Sequence, residues 1–252
     1  MHSTFVPTAN VAPTPTSLRP SFNDMNEKFW YLKKYPAFAD VSTDDIRALD
    51  SVCQVVQYSR GDVIYFPGDH ADSTLLLTSG RVRVYHITGE GKQAILGFVE
   101  ANETFGELSA FQNTNRGEYA EAIEKCVVLQ VPQHALRQLM EQRPGVATRM
   151  NEVFAHRARR AERRLKSLLF GSSRDRLWDL LEDLADRYGM PTQGGVVIAQ
   201  KISHQDLASI IGATRETVTI TLGELQNEGL IEINRRRITM LNQSASAEPQ
   251  RN

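Results

Sequence analysis

The sequence predicts an α+β fold in three parts: an N-terminal β-roll of jelly-roll type, one long dimerisation helix and a C-terminal winged helix-turn-helix. Three observations predict it. Between Gln54 and Val131 the chain breaks into short β-runs separated by glycines at 61, 68, 80, 89, 91, 97 and 106, with strict alternation in Arg81-Val82-Arg83-Val84-Tyr85. Many short strands at such spacing imply a sandwich or barrel. From about Val146 to Leu169 a narrow apolar stripe, Met150, Phe154, Ala158, Ala161, Leu165 and Leu168, recurs every three or four residues on an otherwise charged helix. The stretch from Ile202 to Leu241 then reads as two short helices and a β-hairpin.

The elements follow in order. Residues 1–20 are rich in Thr, Pro, Ser and Ala without hydrophobic period and are expected to be a disordered tail, as is 242–252. The roll domain is bounded at 21–145 and opens with helices: Phe29, Trp30 and Leu32 precede Pro36, then Phe38, Val41, Ile46 and Leu49 form a second apolar set. Ser42 with Asp45 is a capping signature. Thr88-Gly89-Glu90-Gly91 is a hairpin turn inside the strand region. Helical pattern returns at Gln133–Gln142 and continues after Pro144 into the long helix, placed at 146–170. A helix from Ser173 to Tyr188 and a Gly-Gly turn at 194 and 195 then lead into the C-terminal unit, which together span 171–241.

A stripe as narrow as Met150 to Leu168 suits a two-stranded coiled coil and predicts a homodimer. Arg157, Arg159, Arg160, Arg163, Arg164 and Lys166 flank it, read as a solvated face that also borders a ligand pocket.

In the C-terminal unit, Ser203 and Asp206 open a helix whose Leu207, Ala208 and Ile211 face a core, and Gly212 supplies the turn. Thr214 caps the second helix, with Val218, Leu222 and Leu225 on its buried stripe. Its first turn, Thr214, Arg215, Glu216, Thr217 and Thr219, leaves no apolar surface to bury. Such a helix presents its N-terminal residues to base edges, where Arg forks onto guanine and Glu accepts from cytosine N4. Double-stranded DNA is therefore the expected partner. Leu230 to Ile233, the turn Asn234 to Arg236 and Arg237 to Leu241 make the wing, with Arg235, Arg236 and Arg237 suited to phosphates. Gln205, Thr214 and Thr217 are assigned to phosphates as well.

Net charge is -1, so nucleic-acid affinity must come from local clustering of arginines. The 252 residues and 41% hydrophobic content allow two modest domains. Cys53 and Cys126 are too few for a disulfide framework and fit a reducing cytoplasm. No basic segment followed by an apolar run, and no membrane-length apolar stretch, is present, so a cytoplasmic protein without a membrane partner is expected. The sequence offers no nucleophile-base-orienter set, metal-ligand spacing or nucleotide-triphosphate loop, so no enzyme is expected.

With these parts in order, residues 28–241 resemble the cyclic-AMP receptor protein and fumarate-nitrate regulator family of bacterial transcription factors. The motifs are Gly61-Asp62-x-Ile64 with Pro67-Gly68, Gly80-x-Val82-x-Val84, Phe105-Gly106-Glu107-Leu108 with Arg116, and Thr214-Arg215-Glu216-Thr217-Val218. The resemblance implies a cyclic-nucleotide-binding-like roll, a homodimer acting on an inverted repeat, and RNA polymerase as a partner, met by exposed loops such as Met190 to Gly195. It places an effector site at Gly106, Glu107, Leu108, Arg116, Gly117, Arg157, Ala161 and Glu162. In nucleotide-binding members a Glu holds the ribose and an Arg the cyclic phosphate, matched here by Glu107 and Arg116. Gly117 replaces a hydroxyl residue, Glu118 adds negative charge where a phosphate lies, and Ala161 and Glu162 replace the hydroxyls that read adenine. These departures count against cyclic AMP and leave a nucleotide-like or other small anionic effector, or none. Pairing of Glu107 with Arg116, or of Arg116 with Glu118, would make an effector-free or partner-regulated member.

The iron-sulfur cluster of one branch needs several N-terminal cysteines, and none precedes Cys53. Haem ligation would fall to His70, His86 or Cys53. A cyclic-nucleotide-regulated enzyme subunit is the rival from another class, opposed by the lack of a catalytic domain after residue 145. On the recognition helix, the position where the cyclic-AMP receptor carries a second base-reading arginine is Ile220, so Arg215, Glu216, Thr219 and Ile220 are the expected base readers.

Overall fold

The computed structural model describes residues 24–234 and 237–242; the tail expectations and those for Arg235 and Arg236 fall outside them. The chain opens with α1 (Asp24–Lys34), a 3-10 turn (Pro36–Phe38) and α2 (Thr43–Val52), whose N-cap Ser42 accepts from the Asp45 N–H. Eight strands follow: β1 (Gln54–Tyr58), β2 (Val63–Tyr65), β3 (Ser73–Ser79), β4 (Val82–Ile87), β5 (Gln93–Val99), β6 (Thr104–Phe105), β7 (Tyr119–Ala122) and β8 (Cys126–Pro132). A short helix, α3 (Glu107–Gln112), sits between β6 and β7. They form two four-stranded antiparallel sheets, in the orders β1-β8-β3-β6 and β2-β7-β4-β5.

The two sheets enclose one core, which includes Tyr58, Leu75, Leu77, Val82, Phe105, Ala120 and Val128. β3 explains why its run of leucines does not alternate with polar residues. Leu75 and Leu77 enter the intersheet core, while Leu76 turns to a second core beneath the helices, so both faces of the strand are covered. That second core joins Leu32, Phe38, Ile46, Leu129 and Val131 to Leu136 of α4 (Gln133–Gln142) and Met150 of α5 (Pro144–Phe170). Full burial of each such Leu or Ile contributes about 1.5–3 kcal/mol.

α5 thus does two jobs along its length. Its N-terminal third is roll core, and Met150, expected in a dimer seam, is 1% exposed within its own chain and unavailable to a partner. Phe154 packs edge-on against Phe111 of α3. Past these, Ala158 and Ala161 are open to solvent, and Leu165 (58%), Leu168, Leu169 and Phe170 (82%) are exposed apolar side chains.

α6 (Ser173–Tyr188), opened by a Ser172–Asp175 capping box, begins the C-terminal domain. The wing is larger than the expected two strands. β9 (Gly189–Thr192) and β10 (Gly195–Ile198) join β11 (Ile231–Asn234) and β12 (Arg237–Leu241) in one sheet of order β11-β12-β10-β9. Pro191 and two glycines hid β9 and β10 in the sequence, and Pro191 is tolerated because β9 is an edge strand. Met190 to Gly195, expected as an exposed loop, is mostly this hairpin.

Candidate nucleic-acid interface and effector site

α7 (His204–Ile211) and α8 (Arg215–Asn227) pack through Leu207, Ala208, Ile211, Val218, Leu222 and Leu225, with Leu177 and Leu181 of α6 beneath them. Gly212 closes α7 with φ 66°, a left-handed conformation that costs a side chain with Cβ about 1–2 kcal/mol. Thr214 caps α8 by accepting from the Thr217 N–H at 3.1 Å, and the two threonine hydroxyls lie 3.0 Å apart. This cap sets where the helix begins, so Arg215 and Glu216 occupy its first turn with their side chains exposed. The Glu216 carboxyl is held below its usual range by hydrogen bonds from its own backbone N–H and from Thr214. It therefore stands as an acceptor.

Ile220 is 63% exposed on the same helix, an apolar side chain open to solvent. Gln205 and Arg237 are exposed too. Thr219 is more committed than expected of a base reader: its hydroxyl donates to the Arg215 carbonyl at 2.9 Å and also meets His204 Nδ1 at 2.9 Å. What remains for a base edge is its methyl group.

The residues expected to hold an effector gather where β6, α3 and α5 meet. Glu107 is 3% exposed and accepts a short hydrogen bond at Oε1 from Arg157 of α5, whose other nitrogen donates to the Thr104 carbonyl. Among the described residues Glu107 Oε2 is buried without a partner. Arg116, 5% exposed, pairs with neither Glu107 nor Glu118. Its guanidinium donates to the carbonyls of Gly106 and Ser73, the latter at 2.8 Å, and lies 4.8 Å over the Tyr65 ring. Glu118 instead accepts from the Tyr65 hydroxyl at 2.9 Å. Gly106 is required here: φ is 67°, and a Cβ would come within 2.5 Å of Arg116 Nη1. Leu108 and Gly117 are exposed beside this cluster, and Ala161 and Glu162 lie one turn beyond Arg157 on the open face of α5.

The haem candidates are scattered. Cys53 is buried in the helical core with its thiol pushed up to about 12 by burial, whereas His86 is exposed on β4 and His70 bridges to Asn115. Among the described residues no group of three or more His, Cys, Asp or Glu could hold a metal, and no helix is long and apolar enough to cross a membrane.

Sequence reading missed the joint between the domains. The arginine run on α5 is not simply solvated: Arg164 donates to the carbonyls of Ile95 and Leu96 on β5 and Ile210 on α7, at 2.6, 2.6 and 2.5 Å. Arg83 of β4 pairs with Asp206 of α7, and Arg187 of α6 with Glu103 of the roll at 3.0 Å. Tyr85 and Ile95 complete the apolar contact with α7. Only the Arg83-x-Tyr85 alternation hinted that this sheet had a second covered face.

A β-roll with a buried Arg and Glu at its short helix, joined by a long helix to a winged helix-turn-helix, defines a DNA-binding transcription regulator with a ligand-domain-like roll. The chain belongs to the cyclic-AMP receptor protein and fumarate-nitrate regulator (CRP/FNR) family. Residues 55–143 match the cyclic nucleotide-binding domain and 175–245 the Crp-like helix-turn-helix domain. It is 32% identical to the global nitrogen regulator of Synechococcus elongatus, covering 77% of this chain and 89% of that one. It is 28% identical to a CRP-like cAMP-activated global transcriptional regulator of Mycobacterium tuberculosis, over 78% of this chain and 88% of the other. Among solved structures it resembles FixK2 of Bradyrhizobium japonicum, with TM-score 0.65 and 25% identity over 77% of this chain and 94% of that one. These relatives are transcription regulators, not enzymes.

Proposed function

We propose that the protein regulates transcription as a homodimer on an inverted repeat, under control of a small anionic effector bound between Arg116 of the roll and Arg157 of α5. The observation that carries the effector reading is the buried Glu107 carboxylate, engaged at Oε1 by Arg157 and, among the described residues, without a partner at Oε2. An uncompensated buried acceptor costs about 1–3 kcal/mol. A ligand that brings a donor to Oε2 and an anionic group to the guanidiniums would remove that cost. Because Arg157 lies on α5, the same ligand would bear directly on the helix that carries the exposed Leu165 seam.

One relative is named as cAMP-activated. Here Ala161 and Glu162, which stand in place of the hydroxyls that read adenine, favour an effector other than cyclic AMP. Dimerisation is supported by the exposed apolar end of α5, and contacts with RNA polymerase fit the exposed β9 edge of the wing sheet.

On DNA, Arg215 and Glu216 suit one G·C pair in each half-site, and Ile220 suits a thymine methyl. Gln205, Thr214, Thr217 and Arg235 to Arg237 are assigned to phosphates. Selection from random DNA tests the reading: the expected motif is an inverted repeat with half-site centres about 34–36 Å apart. A motif without a dyad would refute it.

A further inference from the structure

We infer that His204 is a DNA-contacting residue whose imidazole takes up a proton when the protein engages the phosphodiester backbone, so that acidification tightens the complex. The inference rests on the DNA-binding reading and adds a site to it. His204 is the first residue of α7, directly after the N-cap Ser203. Its Nδ1 lies 2.9 Å from Thr219 Oγ1 on α8, tying the start of one helix to the DNA-facing side of the other.

The hydrogen bonds define the tautomer. The Thr219 hydroxyl has one hydrogen, and it is given to the Arg215 carbonyl at 2.9 Å. It therefore meets His204 with a lone pair, and Nδ1 must carry the hydrogen. A neutral ring in that state leaves Nε2 as a bare acceptor. Among the described residues no side chain takes Nε2, and the ring is only half-buried.

Position says what Nε2 meets. The first helix of a helix-turn-helix crosses the sugar-phosphate backbone, and His204 lies beside exposed Gln205 at its leading end. A phosphate oxygen only accepts. A bare Nε2 would face it lone pair to lone pair, whereas an imidazolium donates to Thr219 through Nδ1 and to phosphate through Nε2.

The charged groups around it in the free protein lie on β4, α7, α8 and the segment before α7. Asp206, on the same helix, is already engaged by Ser203 and by Arg83 of β4. Lys201 precedes α7, and Arg215 and Glu216 sit together on the first turn of α8. The phosphate supplies the unmatched negative charge, and histidine is the side chain whose ordinary titration spans about pH 5–8.

The test is fluorescence anisotropy of the full-length protein on its selected DNA site, at constant ionic strength, across that range. Wild type should bind more tightly as pH falls, by up to about tenfold per pH unit for each proton taken up. His204→Asn keeps a donor for Thr219 but nothing at the Nε2 position, and should bind several-fold more weakly at low pH with the slope gone. His204→Gln places a neutral donor near Nε2, and should recover affinity at high pH while remaining flat. Either variant retaining the wild-type slope would overturn the inference, as would a flat wild-type profile. Wild type that binds no selected DNA at any pH would overturn the DNA reading as well, which separates the two failures.

Discussion

Arg83 and Asp206 join the roll to the helix-turn-helix: one guanidinium nitrogen meets Asp206 at 3.3 Å while another spans both oxygens of Glu121 at 3.1 and 3.0 Å. Glu121 lies on β7, which begins three residues after Arg116. Asp206 accepts from Ser203 and belongs to the first turn of α7. Through the chain from Arg116 into β7 and the two ion pairs of Arg83, the segment after α3 is therefore tied to the helix beside α8.

Removing Arg83 should weaken the coupling between domains. Arg83→Met leaves Glu121 and Asp206 facing one another without a cation, a loss expected at about 1–2 kcal/mol for a partly buried pair. Differential scanning calorimetry should show the single wild-type transition broadening or splitting. An unchanged transition would mean that the apolar contact of Tyr85 and Ile95 suffices.

The Glu107–Arg157 cluster should resist loss of Arg157 poorly. Arg157→Met leaves a buried carboxylate uncompensated and should cost about 3–5 kcal/mol, with Glu107→Gln in the same chain recovering most of it. Urea unfolding of the two variants checks this. Equal destabilisation with and without Glu107→Gln would deny the pairing its role.

Gly106→Ala should disable the roll without harming the DNA reader. The new Cβ would displace the Arg116 guanidinium and force a left-handed alanine, together costing roughly 1–3 kcal/mol. Calorimetric titration with small anions should lose whatever heat wild type shows. Wild-type binding of cyclic AMP that Arg116→Ala abolishes would overturn the preference for another anion.

The seam at the end of α5 should be sensitive to one charge. Leu165→Glu places two carboxylates in contact across a dimer and removes about 1.5–3 kcal/mol of burial per copy. Sedimentation velocity should show monomer. A dimer that persists would place the interface elsewhere.

The helix caps should lose stabilisation in acid. The Asp175 carboxyl is held below its usual range by Ser172, and that of Asp45 by Ser42 and then Arg143. A depressed folded value stabilises the fold above the unfolded value of about 3.9 and loses that stabilisation as pH falls through the folded one. The difference in melting temperature between wild type and Asp175→Ala should therefore be full near neutrality and shrink below about pH 4.

The helices from Ser42 onward, the glycine-parted strands and the helix-turn-helix were legible because caps, turns and period are local signals. Pairing across distance was not. Nothing in the spacing shows that Arg116 prefers carbonyls to Glu118, or that Glu118 is taken by Tyr65, 53 residues earlier. The buried end of the α5 stripe misled for the same reason: Met150 sits on the same helical face as Leu165, but only the folded roll decides which part of that face is covered.

Arg164 gives the joint its character. One rigid, planar fork serves three carbonyls on two domains, and a hinge movement that lengthens one of those bonds misaligns the others at once. Intermediate angles would break part of this set without replacing it, so the two domains have few comfortable poses between docked and released. Such a joint favours two poses, docked and released, and a stimulus would act by shifting the population between them.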